Sequence, residues 1–189
     1  MSGYGYVQGG RGPRLTWHQG GALAALVLAV LAGAAAAFVP AFVVLEVRGW
    51  RTGRLLYSAP VRLQSRFEVR FVHSVERTLV REVFTAGPDL DIYLVETAYE
   101  SFGAGLPTTA DDGARFVLED GKIRITGMHR RIGELVLCVS PLPRHALVLE
   151  GKTMMLADLA KPGTALSVKV VRASVLALLF RGRCWWMRR

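Results

Sequence analysis

Between Gly20 and Leu45 the chain carries no charged residue, a run of 26 positions. Its core, Gly21 to Val39, is rich in Ala, Leu and Val. About 20 apolar residues rising 1.5 Å each span the hydrocarbon core of a bilayer. Pro40 cannot continue a helix and marks its expected end. A cleaved signal peptide is the competing reading. Arg11 and Arg14 would be its charged region, and Ala35 and Ala37 would satisfy the small-residue rule at a cleavage site. Against it, the run exceeds the usual apolar region of about 7–15 residues, and no polar stretch follows the alanines. The expectation is one uncleaved N-terminal transmembrane helix, with the C-terminal domain outside the cytoplasm, or a secreted domain if the segment is removed. Charge orients it only thinly, because Arg48, Arg51 and Arg54 follow the run as Arg11 and Arg14 precede it. The chain then divides into a disordered basic tail (1–19), the anchor (20–41), a β domain (42–172) and an apolar, then basic, Trp-rich tail (173–189).

Of 189 residues, 24 are basic and 15 acidic, a formal charge of +9. Arg11, Arg14, Arg181, Arg183, Arg188 and Arg189 lie in the two tails, which leaves 18 basic against 15 acidic residues, or +3, between them. Basic tails beside an apolar segment point to a membrane surface rather than to nucleic acid. Zinc spacing, aromatic RNA-binding motifs and helix-turn-helix patterns are all missing from the sequence. Cys138 lies in an apolar run and Cys184 in the basic tail. Two cysteines make no disulfide framework; a buried thiol and a tail thiol are expected, with a bridge left open.

After Pro40 the hydrophobic period is two. Runs rich in Val, Ile, Leu, Phe and Thr recur about every ten residues, broken by Gly, Pro and Asp. The pattern predicts strands near 42–48, 54–58, 65–73, 79–85, 90–98, 114–119, 122–127, 133–139, 145–150 and 166–172. Asp120-Gly121 is a strong hairpin signal, and Gly87-Pro88-Asp89 a second turn. The fold class is all-β, a small sandwich or a partly closed barrel. Ala173 to Phe180 is too short to span a membrane; it either packs on the domain or, with Trp185, Trp186 and the arginines, meets the membrane interface.

Strand phase isolates three polar residues. His73 shares a face with Phe67, Val69 and Phe71. Glu82 lies between Val80 and Phe84, and Glu96 continues the phase of Leu90, Ile92 and Leu94. Alternation turns all three inward. A symmetric turn near Arg77 and Thr78 sets His73 opposite Glu82, with Glu96 close by. Buried charge demands a partner, so the three form a satisfied polar network, a ligand or partner contact, or a metal site. The spacing is no recognised metal motif. Nor is there an obvious nucleophile, since Ser74 falls on the opposite face from His73 and no Gly-x-Ser-x-Gly elbow occurs. No metal, cofactor or catalytic residue is expected. Ser101, Gly103, Gly105 and Pro107 belong to a tight loop, Ser101-Phe102-Gly103-Ala104-Gly105-Leu106-Pro107, that lacks the third glycine of a dinucleotide fingerprint.

Phe71-Val72-His73-Ser74-Val75-Glu76-Arg77-Thr78, followed by Val80 and Glu82, resembles the first signature of domain-of-unknown-function family 1850. Glu96-Thr97 and the glycine loop resemble its second. The resemblance covers about residues 43 to 172; Leu79 stands where the family commonly has proline. It implies a small secreted or membrane-tethered envelope protein, encoded beside the permease and solute-binding protein of TAXI-type TRAP transporters. The expected function is therefore that of a non-catalytic accessory of such an uptake system, at the outer face of the membrane. A free-standing small-ligand or metal-binding module is the alternative.

Overall fold

A computed structural model describes residues 17–100, 113–119 and 121–181. The chain divides into two units, 1–39 and 40–189. In the first, α1 runs Trp17–Phe38, 22 residues. Ala and Leu favour it throughout, and Pro40 closes it. Among the described residues no helix is long and apolar enough to cross a membrane. The expected anchor therefore rests on the charge-free run of sequence alone.

The second unit is two antiparallel sheets. The four-stranded sheet has the order β2-β1-β11-β8, from β1 (Phe42–Gly49), β2 (Leu55–Pro60), β8 (Leu135–Cys138) and β11 (Ala165–Ala173). The seven-stranded sheet has the order β10-β9-β3-β4-β5-β7-β6. Its strands are β3 (Arg66–Val72), β4 (Leu79–Ala86), β5 (Ile92–Tyr99), β6 (Arg115–Glu119), β7 (Lys122–Gly133), β9 (Ala146–Leu149) and β10 (Lys152–Met155). The fold is all-β, and neither sheet closes into a barrel. The inner faces meet in one core: Leu45, Val47, Leu166, Val168 and Val170 from one sheet, Phe67, Val69, Phe84, Leu94 and Ile125 from the other. Phe67 and Phe84 face each other across β3 and β4, with stacked rings 5.5 Å apart. Each fully buried side chain of this size contributes roughly 1.5–3 kcal/mol.

Each predicted strand is present, with most ends within two residues, but β7 runs on to Gly133, six residues past the expected end at 127. The β6–β7 hairpin closes on Glu119 opposite Lys122, as the Asp-Gly pair requires. Gly87 N–H donates to Asp91 O at 2.8 Å to make the second turn. Two features depart from expectation, β10 and the exposure of Cys138, while the apolar tail segment takes one of the forms open to it. β10 was not anticipated; it pairs with β9 through Glu150 and Gly151, at φ +48° and +76°, the two positive angles of a tight hairpin turn. Residues 175–181 form a short helix, α2 (Val175–Arg181), whose Ala177 N–H donates to the Ser174 hydroxyl at 3.2 Å. Cys138 is exposed, not buried, because it ends the short edge strand β8.

Two irregularities decide where the polar residues point. Val83 faces Glu96 while Phe84 faces Leu94, so Val95 is an extra residue on β5. On β7 the same shift consumes three residues, since Glu96 faces Thr126 and Leu94 faces Arg130. Gly127 permits it at φ +74°, where an added Cβ would lie 3.3 Å from the Gly113 carbonyl. Gly127→Ala is expected to cost about 1–2 kcal/mol, measurable by urea denaturation.

Candidate functional site

The three polar residues expected to cluster are dispersed. The β3–β4 hairpin turns two residues earlier than a turn at Arg77 and Thr78 would allow. His73 N–H donates to Thr78 O at 2.8 Å, and Arg77 N–H donates to His73 O at 2.9 Å. Arg77 sits at φ +56°, which reverses the chain within four residues. Val69, not His73, therefore lies opposite Glu82. The half-buried His73 accepts the Glu76 N–H on Nδ1 at 3.2 Å, so its ring helps to hold the turn. His73→Ala is expected to cost about 0.5–1.5 kcal/mol, the worth of one such bond, in a thermal melt.

Glu82 does face inward. Directly opposite residues on neighbouring strands share a face, and the row through Glu82 reads Leu147, Val69, Glu82, Thr97, Ile125, Phe116. Burial pushes the Glu82 carboxyl above the usual carboxylate range, and Arg130 only partly opposes it. Beside it Thr97 is 1% exposed, and its Oγ1 has no hydrogen bond. The His145 ring packs against Phe71 at 5.3 Å with the planes tilted by 37°, and burial pushes its imidazole pKa down.

Glu96 faces outward, because the extra Val95 reverses its phase. It is nonetheless only 4% exposed. Two guanidinium groups cover it. Arg81 donates to its Oε1 at 2.6 Å, and Arg124 donates to both its oxygens at 2.9 and 3.0 Å. Arg81 also donates to Glu68 at 2.5 Å, and Arg70 donates to Glu68 at 2.9 Å. The result is a ladder, Arg70–Glu68–Arg81–Glu96–Arg124, laid across β3, β4, β5 and β7. Arg70 and Arg81 are directly opposite, a repulsive placement unless bridged; Glu68 bridges them. At Glu96 burial raises the carboxyl pKa, but the hydrogen bonds from Arg124 and Arg81 outweigh it and hold the group below its ordinary value. At Glu68 the bond from Arg81 dominates and lowers it likewise.

The ladder was missed in the sequence because its members are scattered over 57 positions, from 68 to 124, and meet only through register. Ser101, Gly103, Gly105 and Pro107 lie outside the described residues. Among the described residues no group of three His, Cys, Asp or Glu could hold a metal ion.

Residues 67–156 match the family model described as Domain of unknown function (DUF1850). This segment is a DUF1850 domain. It takes in the seven-stranded sheet, all but the first residue of β3, together with β8. Strands β1, β2 and β11 lie outside it, so the match is narrower than the 43–172 expected. The polar ladder and the Glu82 row both belong to the DUF1850 segment. No curated protein and no solved structure matches the chain.

Proposed function

We propose that this DUF1850 protein is a non-catalytic accessory of a TRAP-type (TAXI) solute uptake system, tethered to the outer face of the cytoplasmic membrane. The observation that carries a contact role is the ladder. It is a set of guanidinium groups fixed on one open sheet face, each oriented by a carboxylate and each a third to a half exposed: Arg81 34%, Arg70 42%, Arg124 47%. Preorganised polar groups on rigid strands suit recognition, since little side-chain entropy is lost on docking. The transporter context comes from the motif resemblance. The membrane tether is supported by the charge-free run of sequence from Gly20 to Leu45.

Affinity purification of the full-length protein from its native membrane, followed by mass spectrometry, tests the proposal. Recovery of a TAXI-type permease or solute-binding protein is the expected result. Recovery of neither, with the protein intact and membrane-bound, would sink it and leave the free-standing binding module.

A further inference from the structure

The outer face of the seven-stranded sheet carries more cations than its ladder consumes. One row across the strands reads Glu68, Val83, Glu96, Thr126, Arg115; the next reads Arg70, Arg81, Ala98, Arg124, Val117. Arg66 precedes Glu68 on the same face of β3, opposite Thr85. Within these rows five arginines stand against two glutamates; in the next row Lys122 pairs with Glu100 and lies in register with Glu119, so the face keeps an excess of two positive charges. Arg66 and Arg115 are both exposed and have no ion pair among the described residues. Arg131, further along, is neutralised by Asp91. The surplus is therefore local, and it flanks the ladder on both sides.

We infer that this face docks an acidic protein surface, through Arg66 and Arg115 with the exposed edges of the ladder guanidiniums between them. The inference rests on the accessory reading for who the partner is, but not for what it must look like. Two arguments favour carboxylates on a protein over phosphates of a lipid layer. Neighbouring strands rotate by about 20–25°, so the four steps from β3 to β6 accumulate to roughly a right angle. A sheet with that twist presents its arginines along a curved surface, which a protein partner matches better than a flat headgroup layer. The ladder also shows the geometry in use, because Arg124 already holds a carboxylate with two donors, the fork arrangement that gives guanidinium–carboxylate pairs their specificity. An acidic partner would add carboxylates beside Glu68 and Glu96, drawn in by the excess charge and selected against basic surfaces.

The test uses the full-length protein in detergent and two soluble probes, poly-L-glutamate and polyphosphate. A double charge reversal, R66E with R115E, is compared with a control reversal, R51E with R54E, in the β1–β2 turn. Both change the net charge equally, and both pairs are exposed; unchanged circular dichroism verifies folding. The expected result is that the sheet-face reversal weakens poly-L-glutamate binding at least tenfold and flattens its salt dependence, whereas the control changes binding less than threefold. Equal losses in the two variants would mean net charge alone, and would overturn the inference. So would a sheet-face effect on polyphosphate with none on poly-L-glutamate, which would assign the face to phosphate headgroups. The same variants separate this inference from the accessory reading. If the wild type and R66E/R115E recover a permease or binding protein equally, the accessory role stands and the docking face falls. If poly-L-glutamate binding is face-specific but no transport component is recovered, the reverse holds.

Discussion

Glu96→Gln is expected to lower stability by about 2–3 kcal/mol, a drop in melting temperature of roughly 5–10 °C for a domain of this size. The substitution keeps the shape of the side chain and removes its charge. Arg81 and Arg124 then lose the carboxylate that both share. Breaking a fully buried pair costs about 3–5 kcal/mol; the figure here is lower because both guanidiniums reach water. Glu68 is more open, with its side chain 18% exposed, so Glu68→Gln should cost less. A double-mutant cycle of Glu96→Gln with Arg124→Met should return a coupling of at least about 1 kcal/mol. A melting temperature unmoved by Glu96→Gln would mean that the ladder is a surface ornament of ordinary ion pairs, worth little each.

Glu82→Gln is expected to act in the opposite sense, raising stability at neutral pH by about 1 kcal/mol. The folded state holds the Glu82 carboxyl above its ordinary value through burial. A group whose acid form the fold prefers contributes most at a pH below its unfolded value, and that contribution is lost as the pH rises through the folded one. Glu82 therefore penalises the fold at neutral pH, and glutamine removes the penalty. Glu68 and Glu96 have the reverse linkage. Their folded values are lowered, so their contribution is complete above the ordinary carboxylate range and is lost as the pH falls through the folded values. A stability–pH profile should accordingly fall on the acid side in both wild type and Glu82→Gln. The decline on leaving the carboxylate range upward should appear in the wild type alone. Glu82→Ala strands no imidazole, since His73 pairs elsewhere.

The strands were legible because a half-buried sheet imposes period two on its residues, and turn chemistry at Asp120-Gly121 and Gly87-Pro88-Asp89 punctuates it. The inward placement of Glu82 was legible for the same reason, since its alternation with Val80 and Phe84 is unbroken on β3's side. β10 was not, because Lys-Thr-Met-Met carries no alternation and is specified by the turn at Glu150 and Gly151. Two events hid the real site. A non-glycine residue, Arg77, adopts a left-handed conformation that no residue preference announces, and so shifts the hairpin by two positions. Val95 bulges without a glycine on its own strand; the compensating glycine, Gly127, sits on β7, 32 positions later. Each event moved one polar residue away from the expected trio: His73 into a turn, Glu96 to the opposite face. Nothing in the residue pattern singles out Arg81 or Arg124, and only the register joins them to Glu96.

The account turns on Glu82 and Glu96 lying on opposite faces of one sheet. The most direct test is a side-chain carboxyl titration of the full-length protein in detergent micelles by carbon-detected NMR, with Glu82→Gln and Glu96→Gln for assignment. The prediction is that Glu82 titrates above the ordinary glutamate value, and Glu96 below it together with Glu68. If Glu96 titrates above that value alongside Glu82, the two carboxyls share the interior, the bulge at Val95 is absent, and the outward ladder does not exist.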